Sequence, residues 1–303
     1  MSVESKGVIP AKAGIQDWIP AYNRGDDKSS LQVEAHRPDG TVVPLSIETT
    51  AEGRRLSIPE RAQASLIEIY ETQGNEAYST QTTLRIEVAA EARLAHYKLV
   101  REGPRADHQS FLEVHLQRAA SLESHVFLFD GARIRNTLHV RVGEGGNCVL
   151  NGLYLATAEQ VMETHTLIDH LKPHGTSREL YKGILDQKAQ GLFDGLIVVE
   201  KDAQKTDSSQ TNKNLLLSSD AKAKSNPELK ILANDVKCKH GSTIGQIDAA
   251  QLFYLRSRGI PEEEARKLLI YAFASEMIES LPVVSLRERL HQLLSGKFQK
   301  GGG

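Results

Sequence analysis

The chain has 303 residues, 40% hydrophobic and 25% charged, enough for one large domain or two smaller ones with a sizeable core. A formal net charge of −2 supplies no field for a phosphate backbone or an anionic membrane surface, which sets nucleic acid and membrane aside as partners. The start lacks a basic stretch followed by an apolar one, the longest uncharged apolar run (Leu268 to Ala274) falls far below the roughly 18 residues of a span, and Cys148 and Cys238 are the only cysteines; together these predict a cytoplasmic protein.

Residues 1 to 30, including Trp18, carry no apolar periodicity and read as irregular. Leu31 to His36 and Thr41 to Ile47 alternate, and Pro38-Asp39-Gly40 between them is a turn sequence, so a hairpin is expected within an N-terminal region spanning 1–60. A strand-rich body is expected over 61–246. Its candidate strands are Ser65 to Glu71, Thr82 to Val88, Ala95 to Val100, Phe111 to Leu116, His125 to Phe129, Thr137 to Val142 and Cys148 to Leu155. Thr164 to Leu171, Arg178 to Leu185, Leu192 to Val199 and Lys213 to Leu217 continue the series. In the run from Thr137, Leu138, Val140 and Val142 share one face while His139 and Arg141 take the other. Gly143 to Gly146 then supplies residues that tolerate positive φ at a tight corner. So many short strands predict a mainly β protein, as a sandwich, a barrel or a β-solenoid, and periodicity does not choose among them.

Past Ile247 the period changes to about 3.6, and a helical domain is expected over 247–303. Asp248 and Gln251 suit a helix start, and Gly259 suits its stop. Pro261 followed by Glu262, Glu263 and Glu264 opens a second helix with the apolar stripe Ala265, Leu268, Leu269, Ala272, Phe273 and Met277. Ser285 and Glu288 can start a third, carrying Leu286, Leu290, Leu293 and Leu294.

No phosphate loop, His-Glu-x-x-His pair or Gly-x-Ser-x-Gly elbow occurs, and the glycines near 145 have the wrong spacing for a dinucleotide loop. His165, Asp169, His170 and His174 lie within ten residues. On a strand, however, 165 and 170 point to opposite faces and Pro173 breaks any helix, so bonded histidines are the stronger reading than a metal cluster. Cys148 reads as a small buried hydrophobe. In Asp235-Val-Lys-Cys-Lys-His240, alternation puts Val236, Cys238 and His240 on one face and Asp235, Lys237 and Lys239 on the other. A thiol and an imidazole on one strand face can approach a single ion, and the two lysines are expected to favour the thiolate. Two ligands do not complete a tetrahedral site, so further donors must come from another chain or a substrate.

The run Asp235 to Asp248, then Gln251-Leu-Phe-Tyr-Leu-Arg-Ser-Arg-Gly-Ile260, resembles the Suf iron–sulfur cluster assembly scaffold family. Ser177-Arg-Glu-Leu-Tyr-Lys-Gly183, Ala203-Gln-Lys-Thr and Asn212-Lys-Asn-Leu-Leu-Leu-Ser218 resemble it in the same order, so the likeness spans about Ser121 to Leu281. Cys238-x-His240-Gly241 matches the D-type (SufD-type) subunit, whose members usually begin with a longer helical segment, so the chain reads as a shortened form. The resemblance implies a right-handed parallel β-helix with a C-terminal helical segment and a non-enzymatic cytoplasmic scaffold. It also implies pairing with a SufB-type paralogue, and docking of a SufC-type ABC-class ATPase on the C-terminal helices, where Leu268, Leu269 and Phe273 are the docking residues. Cys238 and His240 then map to a partner interface that holds iron, or a nascent iron–sulfur cluster, transiently, while sulfur-accepting cysteines belong mainly to the partner. The competing expectations are a β-helix enzyme acting on carbohydrate, with a groove holding paired acids, and a stand-alone or homodimeric metal-binding module.

Overall fold

In the computed structural model, residues 29–299 are described, apart from Ser46 and Gln73; residues 1–28, the larger part of the expected irregular N-terminal region, lie outside the described residues. Two compact units result, one ending at Tyr254 and the other taking in Leu255 onward.

The first unit is a β-solenoid of about 7 turns built from two eight-stranded sheets. One sheet holds β1 (Ser29–His36), β4 (Gln63–Glu71), β6 (Arg93–Arg101), β8 (Ser121–Asp130), β10 (Asn147–Ala156), β12 (Thr176–Leu185), β14 (Asp207–Leu216) and β16 (Lys237–Gln246), in that order. The other holds β2 (Ile47–Thr50), β3 (Gly53–Ile58), β5 (Tyr78–Val88), β7 (Ala106–Leu116), β9 (Arg133–Val142), β11 (Val161–His170), β13 (Gln190–Val199) and β15 (Lys222–Ile231). The chain passes from one sheet to the other at every corner, so each strand pairs in parallel with the strand one turn on. Asn147 lies beside Thr176, and Thr176 beside Asp207, roughly thirty residues per turn. At the N-terminal end β1 runs antiparallel to β4, and β2 antiparallel to β3.

Alternation inside each strand becomes a ladder inside the solenoid. Leu56, Ile86, Val114, Val140, Ile168 and Ile197 are register partners in successive turns, and each is buried. Each contributes about 1.5–3 kcal/mol by leaving water. The ladder ends at Leu229, only partly buried, and beyond it Ile231 and Ile244 are exposed.

The corners are held by a second ladder. Arg61, Glu91, Ala119, Gly145, His174 and Lys205 all have positive φ, and each donates its backbone N–H to a carbonyl in the next turn. Ala119 donates to Glu144 and Gly145 to Pro173, at 2.7 and 2.9 Å. The glycine-rich corner expected at 143–146 is one rung of this series.

The expected turn at Pro38-Asp39-Gly40 forms, with Gly40 at φ 85° and the Asp39 carboxylate accepting the Thr41 N–H. The hairpin itself is a single bridge, His36 to Val42, because β1 spends its edge on β4 along its whole length and Ile47 opens β2. After β16 come α1 (Ala249–Ser257), α2 (Glu262–Glu279) and α3 (Val284–Gln299). Asp248 starts α1 by accepting the N–H groups of Ala250 and Gln251, and Gly259 follows its end at φ 86°. On α2 the buried residues are Ala265, Ile270, Ala274, Met277 and Ile278, so the inner face is rotated from the expected stripe and Leu268 is exposed. Apolar residues circle this helix on more than one side, and spacing alone does not select the packed one.

Candidate functional site

Strand β16 is the last in its sheet: β14 lies on one side, and no strand among the described residues takes the other. Its backbone groups on that side form a template for a further strand. Alternation places Cys238 and His240 on its inward face, about 7 Å apart along the strand. Cys238 lies beside Ser208, which lies beside Ser177, which lies beside Cys148. His240 lies beside Gln210, then Glu179, then Leu150. The two side chains therefore cap two columns that run down the solenoid interior.

Their settings differ. Cys238 is partly buried and packs with Val236 against the end of the apolar core, whereas His240 is exposed. Burial raises the Cys238 thiol above its usual range and the nearby Asp207 carboxylate adds to this, while the Ser208 backbone opposes it. The expectation that Lys237 and Lys239 favour the thiolate is thus corrected: they stand at the alternate positions of β16, on the face away from the thiol. Asp235 lies in the corner before β16, outside the strand, where it pairs with Lys205 of the preceding turn. No group of three His, Cys, Asp or Glu side chains able to hold a metal ion occurs among the described residues.

The histidines of the 165–174 run sit apart from this site. His165 faces outward between Glu163 and Asp194, 3.7 and 3.6 Å from their carboxylates. His170 is fully buried inside, its Nε2 2.9 Å from the Ser177 hydroxyl, and His174 belongs to the corner ladder. Cys148 is buried, and burial pushes its thiol far up, as befits an apolar filler.

On the helices, Leu268 is 51% exposed, with Leu269 and Phe273 partly buried on the same helix. Sequence reasoning passed over Phe253 and Tyr254 of α1, which are 72% and 57% exposed; two adjacent aromatics between Leu252 and Leu255 were the available signal. It also passed over the interior polar positions Ser177, Glu179, Ser208 and Gln210, whose alternation with outward residues marks the face more faithfully than their polarity does.

Residues 49–273 match the family model described as SUF system FeS cluster assembly, SufBD core domain. The chain is 36% identical over 271 residues to the iron-sulfur cluster assembly protein SufD of Escherichia coli K12, covering 89% of this chain and 64% of that protein. It is 31% identical over 170 residues to SufD of Bacillus subtilis, covering 56% and 39%. An iron-sulfur cluster assembly SufBD family protein of Mycobacterium tuberculosis is 32% identical over 291 residues, covering 90% and 72%. The chain spans less than two thirds of the length of the E. coli and B. subtilis proteins.

Proposed function

The chain belongs to the SufBD core family of the iron–sulfur cluster assembly system, and we propose that it acts as a non-enzymatic D-type scaffold subunit in the cytoplasm. In this reading the open end of the solenoid pairs with a SufB-type paralogue through the free edge of β16. Cys238 and His240 then supply two of the donors that hold iron, or a nascent cluster, as a transient cargo, and the partner supplies the others. Exposed Ile231, at the end of β15, and Ile244, further along β16, offer apolar area at the same end of the solenoid. A SufC-type ABC ATPase docks on the helical segment, with Leu268 as the exposed contact and Leu269 and Phe273 beside it on α2.

One observation carries this reading: a thiol and an imidazole share the inward face of a strand whose outer edge pairs with no other strand among the described residues. Coexpression with a SufB-type and a SufC-type protein, followed by native mass measurement and iron analysis, tests it. A three-component complex that holds iron, and loses it in the Cys238→Ala/His240→Ala double variant while staying assembled, is the expected result. An iron content unchanged by the double variant removes the ligand role, and a chain that never associates with either protein removes the scaffold role.

A further inference from the structure

Inside the solenoid, two turns from its open end, buried polar side chains point inward from both walls, Glu179 among them. Glu179 and Tyr181 point inward from β12, Gln210 from β14, and Thr164 and Thr166 from β11 of the opposite sheet; all five residues are buried. Gln210 Nε2 donates to Glu179 Oε2 at 2.7 Å. It has room to do so because position 195 is glycine: a Cβ there would lie 2.3 Å from that nitrogen.

The other polar atoms have no such partner. Glu179 Oε1, the Tyr181 hydroxyl, Gln210 Oε1 and the hydroxyls of Thr164 and Thr166 are all buried without a hydrogen bond from the protein. One orphaned atom is tolerable, but five among the inward-pointing residues of β11, β12 and β14 would cost about 1–3 kcal/mol each, far beyond what a native interior leaves unsatisfied. Polar cavities settle this by holding ordered water, each molecule bridging two to four such groups.

We infer that Glu179 stands at a closed internal water site, whose ligands are a few ordered water molecules and one exchangeable proton. The titratable groups that act with it are Cys148 of β10 and Tyr181 of β12, neither of them cationic; β14 presents the uncharged Ser208 and Gln210, and β11 presents Thr164, Thr166 and His170, whose imidazole burial brings down to about 4 and so leaves neutral. With no counter-charge in this group, burial drives the carboxyl up to about 7, against the opposing pull of the Gln210 hydrogen bond. A neutral carboxyl also donates, which supplies the water cluster with a proton source that an amide cannot replace. The site is independent of the scaffold role proposed above, since no donor in it belongs to β16.

The test uses the full chain and Glu179→Gln in equilibrium denaturation across pH 5 to 8. The folded carboxyl binds its proton more tightly than the unfolded one, so stability is full below about pH 4.5 and is lost as pH rises toward and past 7. The wild-type unfolding constant should therefore climb relative to the variant's, with a limiting slope of tenfold per pH unit. Parallel pH curves overturn the proposal. Should Glu179→Gln fail to fold, isotope-edited infrared spectra of the wild type and a high-resolution crystal structure decide. A protonated carboxyl that titrates near neutrality, with water bridging Oε1 to the Tyr181 or Thr166 hydroxyl, supports the site. A carboxylate ionised throughout, a bound cation in its place, or a dry chamber each refutes it.

Discussion

The ring of Tyr181 lies over Gly152, its register partner on the neighbouring strand: a Cβ at position 152 would sit 2.1 Å from Tyr181 Cε1. The next pair along reverses the arrangement, with Tyr154 over Gly183 at 2.3 Å from a Cβ there. Each glycine opens the space that a buried tyrosine fills on the adjacent turn. Gly152→Ala should therefore cost about 1–3 kcal/mol, the usual penalty for forcing an extra carbon into a filled core. Pairing it with Tyr181→Ala should give less than the sum of the two single losses, measured as a double-mutant cycle in urea. Full additivity would mean that ring and glycine are not in contact.

Much of this architecture was readable from the alternation. The inward set Leu138, Val140, Val142 and the shared face of Cys238 and His240 follow from period two alone, because a pleated strand offers no other choice. Strand β15 escaped because Lys222, Lys224 and Pro227 do not look like a strand; it is the edge of its sheet, where proline is tolerated. Parallel stacking was not legible without the family resemblance, since the step between partners drifts from turn to turn and leaves no fixed repeat. Polar interiors are harder still: Glu68, His96 and Lys98 occupy inward positions, and only their mutual contacts explain how an interior accepts them.

The corner ladder makes Ala119 a backbone probe. At φ 55° its Cβ is strained, yet its N–H bonds to Glu144 in the next turn. Ala119→Gly should be neutral or stabilising by up to about 1 kcal/mol, since glycine adopts this conformation without the Cβ clash. Ala119→Pro should destabilise by about 3 kcal/mol or more, because it removes the donor and cannot reach positive φ. Thermal melts of the two variants that coincide would show that the corner conformation is not under strain.

Glu68, bonded to His96, is expected to carry part of the acid limb of the fold's stability. Glu68 Oε1 lies 2.9 Å from His96 Nε2, and Tyr70 donates to Oε2 at 2.7 Å, all inside the solenoid. Burial alone would raise this carboxyl; the hydrogen bond from His96, the Lys98 charge and Tyr70 outweigh it and bring it to about 2. An acid held this low contributes stability that is complete above about pH 4.5 and is lost as pH falls toward 2. Glu68→Gln should cost about 3 kcal/mol at neutral pH, as expected for breaking a buried charged pair, and should flatten stability between pH 4.5 and 2. An acid limb of unchanged steepness in the variant would exclude Glu68 as its source.

The Cys238 thiol offers the most direct check on the face assignment of β16. Burial against the core end and the Asp207 carboxylate both hold its proton on, and Lys237 and Lys239 point the other way. Alkylation by iodoacetamide should therefore be slow at neutral pH and climb with pH, because only the thiolate reacts. Replacing Asp207 by Asn should speed it several-fold at pH 8 by removing a negative charge, whereas Lys239→Ala should change it by less than about twofold. Cys148, buried in the core, should stay unmodified until the chain unfolds. A thiol that reacts quickly at neutral pH, and slows when Lys239 is removed, would place the lysines beside it after all. That outcome would turn β16 over and take the two donors of the proposed interface off a common side.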